Sequence, residues 1–146
     1  MISRDKLPLG QMMLGLVVLG IIGLLAELLL LDHIESLNQW IPLISLGVGL
    51  AATIAVWLKP TRTILLVFKA AMAVFVAAGL LGVYFHFAGN VEWAQERDPD
   101  LRGLPLVWKS LKGAVPSLAP GALAQLGLLG LIFAWSRQST NDTDNK

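Results

Sequence analysis

The segment that decides the fold is Ile64 to Glu92, ILLVFKAAMAVFVAAGLLGVYFHFAGNVE, an apolar run that ends in polar residues. Its first part, Ile64 to Phe87, would form a helix of about 36 Å at 1.5 Å per residue. That length is enough to cross a bilayer hydrocarbon core of about 30 Å, so we predict a transmembrane helix. Its far end carries His86, Asn90 and Glu92, the densest group of polar side chains near any apolar segment of the chain.

The composition also indicates a membrane protein. Of the 146 residues, 55% are hydrophobic and only 14% are charged, which is too apolar for a soluble domain of this length. The absence of cysteine excludes disulfides, thiolate metal sites and cysteine nucleophiles. The net charge of +1 offers no broad basic surface, so nucleic acid is not expected as a partner.

Four apolar segments are long enough to be membrane spans. They are residues 9–31, 40–58, 64–87 and 118–135. We therefore predict an all-α integral membrane bundle of four antiparallel transmembrane helices, forming one domain over residues 1–137. The remaining polar tail, residues 138–146, is predicted to be disordered and cytoplasmic.

Short links join the first three segments. The acidic link 32–39 requires the second helix to return antiparallel to the first. In the basic link 59–63, Pro60 ends one helix and either Thr61 or Thr63 is available to cap the next. The second segment contains Gly47 to Ala52, GVGLAA, which has the letters of a dinucleotide-binding motif. Because this stretch lies inside an apolar helix and follows no strand, we interpret its small residues as helix packing positions.

Residues 88–117 form the only long hydrophilic segment and are predicted to be a structured outer loop. Within it, Leu104, Val107, Trp108 and Leu111 follow the i, i+3, i+4, i+7 spacing of one helix face. This spacing predicts a short amphipathic helix. Two placements fit it: on the membrane surface, or folded over the mouth of the bundle as a lid.

The distribution of lysine and arginine predicts the orientation. One side of the membrane receives Arg4, Lys6, Lys59, Arg62 and Arg137, whereas the short link on the other side has no basic residue. Both termini are therefore predicted to be cytoplasmic, and the polar ends of the first, third and fourth spans lie at the outer mouth.

Six side chains at this mouth are the candidate ligand or proton site. They are Glu27, His33, His86, Asn90, Glu92 and Gln125. An ionisable residue inside a span is a functional candidate, because an unpaired charge in lipid is costly. Helical rise places Glu27 and Gln125 at similar depth, so the two could form a hydrogen bond with each other; a cation of the outer loop is the alternative partner of Glu27. Asn90 and Gln125 would orient the histidines, which would act as ligands or proton acceptors.

Three interpretations of these residues remain open. In the first, His33 and His86 with Glu27, Asp32 or Glu92 bind a metal, since imidazole and carboxylate suit zinc and imidazole suits copper or haem iron. In the second, the same residues bind or relay a small solute or protons, with Glu27 as the buried carboxylate. In the third, the polar groups are structural and the protein acts as an accessory or interaction subunit.

The third interpretation is the one we favour, since polar groups at such a mouth commonly cap helices and tie loops to the bundle. No spacing diagnostic of a metal site is present. The sequence also lacks a nucleophile elbow, an H-E-x-x-H motif and a phosphate loop, so it predicts neither an enzyme nor a bound cofactor. The expected partners are the lipid bilayer and either another membrane protein or a second copy of this chain.

The second half of the chain resembles a group of small, uncharacterised four-span bacterial membrane proteins. The resemblance rests on an H-x-x-G-N-x-E segment within GVYFHFAGNVE (residues 82–92) and an A-P-G segment within SLAPGA (residues 117–122), followed by QLGLLG (residues 125–130). It implies a bacterial inner membrane and no particular activity. The positions it marks for testing are His86, Asn90, Glu92, Pro120 and Gln125.

Overall fold

The protein is all-helical. The structure, a computed structural model, describes the backbone of residues 6–144 and the side chains of residues 9–137. Arg4, one of the basic residues that predict the membrane orientation, lies outside the described residues. The helices are α1 (Lys6–Leu30), α2 (Leu37–Leu58), α3 (Arg62–Arg97), α4 (Gly103–Leu111) and α5 (Gly121–Asp144). No strand occurs within residues 6–144.

Three of the helices are long and apolar enough to cross a membrane: Leu9–Leu30 within α1, Leu37–Leu58 and Arg62–Arg97. In their most apolar windows only 17%, 33% and 28% of the residues are buried within the protein. Large apolar side chains such as Leu19 and Ile44 therefore point outward, as lipid-facing residues do. The prediction of an all-helical protein is confirmed, and three helices of this length and apolarity agree with a membrane-embedded protein. The apolar part of α5, Gly121–Arg137, is shorter.

Helix α3 is the centre of the packing. It packs against α2, α4 and α5, while α1 packs against α2 and α5 and so closes a ring of four helices. The core of this ring is made by side chains that are fully buried: Val17, Ile21, Leu46, Phe68, Met72, Phe75 and Phe133. The rings of Phe68 and Phe133 meet edge to face at 5.9 Å between centroids, which fixes α3 against α5.

Glycine allows α3 and α5 to approach closely. A Cβ at Gly79 would lie 2.5 Å from the backbone nitrogen of Ala124, and one at Gly127 would lie 2.5 Å from the carbonyl oxygen of Met72. On α2, Gly49 lies directly against the ring of Phe75. The motif-like stretch around Gly49 is therefore part of a helix–helix contact, as its position in an apolar helix predicts.

Local signals set several helix ends. The Thr61 hydroxyl oxygen accepts a hydrogen bond from the backbone N–H of Ile64 at 3.3 Å, so Thr61 is the cap of α3. The Gln39 side-chain oxygen accepts from the backbone N–H groups of Glu35 and Ser36, at 2.7 and 3.0 Å. These bonds start α2 at Leu37, slightly before the predicted start at residue 40.

The structure differs from the sequence prediction beyond residue 87. Helix α3 continues through Gly89 to Arg97, so the first ten residues of the predicted outer loop are helical. The polar side chains after Phe87 set the predicted edge of the span, but polar side chains do not end a helix. The helix continues here until Asp98, which precedes Pro99. The predicted amphipathic helix is present as α4. Helix α5 runs on to Asp144 and includes most of the tail predicted to be disordered, and residues 145–146 lie outside the described residues.

Candidate functional site

Asn90 is the best-connected polar residue at the predicted mouth. Because α3 continues past Gly89, Asn90 lies one turn after His86 on the same helix face, and it is only 2% exposed. Its Nδ2 donates hydrogen bonds to the Val115 carbonyl oxygen at 2.6 Å and to the Ser117 hydroxyl at 3.0 Å. Its Oδ1 accepts from the Val115 N–H at 3.3 Å. Both ends of the amide are thus bonded, as a buried carboxamide requires.

Two serines extend this contact to α4. The Ser117 hydroxyl donates to the Ser110 carbonyl oxygen at 3.1 Å, and the Ser110 hydroxyl donates to the Leu106 carbonyl oxygen at 2.8 Å. Gly113 lies directly against the Asn90 side chain, where a Cβ would overlap it. We call these residues, Asn90, Ser110, Gly113, Val115 and Ser117, the Asn90 clasp. The clasp ties α3, α4 and the start of α5 together.

His86 reinforces the clasp from the neighbouring turn. Its Nδ1 lies 3.0 Å from the carbonyl oxygen of Pro116. Since a carbonyl oxygen can only accept, Nδ1 carries the proton, and the Nε2 of a neutral His86 is left as an acceptor. A backbone carbonyl on one ring nitrogen is the usual way of orienting a histidine whose other nitrogen binds a metal or a proton.

His33 lies close to His86. It sits in the turn after α1, where its backbone N–H bonds the Leu28 carbonyl at 2.9 Å and Asp32 adopts a positive φ of 49°. Burial first, and the positive charge of protonated His86 second, lower the pKa of His33 below its ordinary value of 6.5. The tertiary structure therefore places His33 within electrostatic range of His86, although the two residues are far apart in sequence.

The other acidic candidates do not complete a metal site with the histidines. Among the described residues, no three histidine, cysteine, aspartate or glutamate side chains lie close enough to hold a metal ion. Glu92 is exposed on the solvent side of α3. A zinc, copper or haem iron bound by His33 and His86 would therefore need further ligands from outside the described part of the chain.

Glu27 and Gln125 are not hydrogen-bonded to each other, contrary to the expectation from helical rise. Leu126 packs against Gly20. Gly20 precedes Glu27 by seven residues, so it lies about 10 Å further from the predicted mouth than Glu27 does. Gln125 therefore lies deeper in the bundle than Glu27, because the register of α1 on α5 is set by packing and not by where each helix begins. Both side chains are exposed on the flank of the bundle.

Gln125 lies in a groove between α1 and α5. The groove has a volume of about 300 Å³ and is lined by Gly20, Gly23, Leu24, Ala122, Gln125 and Leu126. Its walls are apolar apart from the Gln125 amide. Glu27 follows Gly23 by four residues, so it lies on the same face of α1 one turn nearer the mouth. We call this feature the α1–α5 groove.

The predicted single site thus separates into three places: the clasp with Asn90, the histidine pair, and the α1–α5 groove with Gln125 and Glu27. Sequence reasoning missed Ser110, Gly113 and Ser117 as members of the clasp. One sequence feature could have pointed to Ser110, because it is a small polar residue of α4 that lies off the apolar stripe.

Comparison of the chain with protein-family models, with curated proteins and with solved structures gave no match.

Proposed function

We propose that the protein is a small four-span protein of a bacterial inner membrane that acts as an accessory or interaction subunit, and that it associates through the α1–α5 groove. The observation that carries this proposal is the Gln125 amide. It is exposed on an apolar flank, and it makes no hydrogen bond within the described part of the chain.

The packing of α5 supports a fourth span antiparallel to α3. Gly130 of α5 contacts Met72, whereas Ala124, earlier in α5, contacts Gly79, later in α3. The two helices therefore run in opposite directions along their whole contact. Gly121–Arg137 lies at the short end of the usual length for a transmembrane helix, roughly 17–25 residues, and the preceding Leu118 is apolar and exposed. The distribution of basic residues favours cytoplasmic termini.

A partner helix would satisfy Gln125. A polar side chain that faces lipid has no water to bond, and transmembrane helices commonly meet this need by hydrogen bonds across a helix–helix contact. Gly20, Gly23 and Ala122 in the same groove leave room for a close backbone approach. The occupant we propose is a transmembrane helix of another membrane protein, with a hydrogen-bonding side chain at the depth of Gln125.

Photo-cross-linking in the native membrane tests this function. A photoreactive residue at Gly23, which has open space around its Cα, should yield a protein adduct of defined mass, and Gln125→Leu should reduce its yield. The same probe at Val67, an exposed residue of α3 outside the groove, is the matched control and should label lipid. Adducts at Gly23 with lipid alone would refute the proposal. An adduct of twice the chain mass would make the occupant a second copy.

The histidine pair favours a second candidate, the binding or relay of protons, a small solute or a metal at the outer mouth. Its support is the contact of His86 Nδ1 with Pro116, which leaves Nε2 unused, together with the proximity of His33. Metal analysis, an optical spectrum and titration with zinc, copper and haem on purified wild type, His33→Ala and His86→Ala test it. Binding that both substitutions abolish supports this role, and a wild type that binds none of the three refutes the metal form of it.

A further inference from the structure

Helix α4 turns its apolar face away from the rest of the protein. The four residues that predicted an amphipathic helix are all exposed: Leu104 by 83%, Val107 by 42%, Trp108 by 62% and Leu111 by 41%. The side of α4 that packs on α3 is instead the side of Ser110, which is fully buried, and of the half-buried Leu106. We call the four exposed residues the α4 apolar face.

This face is fixed in its outward orientation. Ser110 is buried within the Asn90 clasp, and its carbonyl oxygen accepts the hydrogen bond from Ser117. Turning the apolar face inward would take Ser110 out of the clasp and remove this bond. A lid that closes over the mouth with its apolar face inward is therefore incompatible with the clasp, and the face needs an occupant from outside the chain.

The predicted end of the third span places the clasp at the level of the lipid headgroups. Asn90 follows Phe87, the predicted end of the third span, by three residues, or about 5 Å of helical rise. The headgroup layer adds roughly 5 to 8 Å on each side of the hydrocarbon core. Beyond the clasp, Leu118 is 69% exposed and leads into α5. With that span end, the C-terminal end of α4 is expected in or next to the headgroup layer.

The charge of α4 matches that layer. The segment from Arg102 to Lys112 contains Arg102, Lys109 and Lys112 and no acidic residue. The Lys112 amino group lies 4.5 Å from the centre of the Trp108 ring, so a cation and an interfacial aromatic are paired at one end of the apolar face. Exposed leucine, valine and tryptophan beside lysine and arginine are the composition of helices that lie in an anionic membrane surface.

We propose that α4 is an interfacial anchor: its apolar face inserts into the leaflet on its side of the membrane, and Arg102, Lys109 and Lys112 bind anionic phospholipid headgroups. The Asn90 clasp transmits the position of this anchor to α3 and to the start of α5. This inference is independent of the α1–α5 groove, which lies on other helices.

Spin labels test the insertion directly, since the chain has no cysteine and each label therefore has one site. Val107→Cys and Leu111→Cys, in full-length protein reconstituted into phosphatidylcholine–phosphatidylglycerol vesicles, should collide more often with oxygen, which concentrates in lipid, than with a water-soluble nickel complex. Glu96→Cys, on the exposed acidic end of α3, is the control and should show the reverse. Because Val107 and Leu111 are exposed, all three variants should keep the wild-type circular dichroism spectrum.

The charge part of the proposal has its own test. The double variant Lys109→Gln/Lys112→Gln should bring the labels closer to water in the mixed vesicles and change nothing in pure phosphatidylcholine. Equal depth for both proteins in both lipids would refute headgroup binding. Labels that meet mainly the nickel complex would refute insertion. Labels shielded from both reagents, together with a disulfide dimer formed by the unlabelled Leu111→Cys variant, would assign the face to a second copy and also overturn the proposal.

Discussion

The side-chain amide of Asn90 donates a hydrogen bond to the hydroxyl of Ser117 across 3.0 Å, and both residues are 2% exposed. This bond joins the C-terminal part of α3 to the segment that leads into α5. The Ser117 hydroxyl in turn donates a hydrogen bond to the Ser110 carbonyl oxygen of α4. Each of the hydrogen-bonding side chains of the clasp has a partner, and no buried side-chain nitrogen or oxygen among the described residues lacks one. Such fully bonded buried networks specify one arrangement, because removing any member leaves another polar group without a partner.

Asn90→Ala should lower the free energy of unfolding by about 2–4 kcal/mol, because it removes three hydrogen bonds. Among the groups that lose their partner are the backbone N–H and carbonyl of Val115. Denaturant titration in detergent, followed by circular dichroism, measures it. The control is Glu92→Ala on the exposed side of the same helix, with an expected change within about 0.5 kcal/mol. Equal losses in the two variants would contradict a specific role for the clasp.

Gly113→Ala should destabilise the protein by about 1–3 kcal/mol, because the new Cβ would overlap the Asn90 side chain. The matched control is Gly89→Ala, where no atom lies within 4 Å of the added Cβ and the helix would gain up to about 1 kcal/mol. Thermal unfolding of the two variants beside wild type is the measurement. A stabilised Gly113→Ala would mean that Asn90 does not pack against this position.

Gly79→Ala should separate α3 from α5, since the added Cβ would meet the Ala124 nitrogen at 2.5 Å and the Pro120 carbonyl oxygen at 2.9 Å. Backbone atoms cannot move aside as a flexible side chain can, so a loss of about 1–3 kcal/mol is expected. Gly47→Ala on α2, where nothing lies within 4 Å, is the control and should be neutral or stabilising. The midpoint of thermal aggregation in detergent compares them, and identical midpoints would disprove the close contact.

Lowering the pH should destabilise the protein through His33. Its pKa is lower in the folded protein than its ordinary 6.5, so the unfolded chain binds the proton more readily. The stability contributed by neutral His33 is therefore present above about pH 6.5 and is lost as the pH falls through the lowered folded-state pKa. As the pH is lowered from 8 to about 5, the midpoint temperature of unfolding should fall less steeply in His33→Gln than in wild type. Parallel profiles for the two proteins would show that His33 does not carry the effect.

His86→Gln separates the two causes of this shift. It removes the charge that opposes protonation of His33 but leaves the burial of His33 in place, so part of the pH dependence should remain. An amide at this position can still donate to the Pro116 carbonyl oxygen, so the variant should keep its connection to the clasp.

Features that depend on neighbours in sequence were predictable. The helical form of α1, α2 and α3 follows from the requirement that backbone groups in lipid bond within their own helix, and their apolar lengths match the thickness of a bilayer core. The cap of α3, predicted at Thr61 or Thr63 and found at Thr61, is equally local, and so is the spacing of Leu104, Val107, Trp108 and Leu111 that predicted α4. The end of α3 was misplaced because polar residues mark the edge of lipid and not the end of a helix, so the ten residues after Phe87 remained helical.

The sequence by itself therefore determined that this chain is helical, with apolar segments long enough to cross a membrane, and which polar residues gather toward one end of it. Only the tertiary structure decided that those residues fall into three separate places: the Asn90 clasp, the histidine pair and the α1–α5 groove. Helix register placed Gln125 deeper than Glu27, chain folding brought His33 to His86, and the clasp turned the apolar face of α4 outward. Hydrophobic periodicity predicts that a helix has an apolar and a polar face. Which of these faces packs against another helix depends on contacts between residues far apart in the chain, such as Asn90 and Ser117.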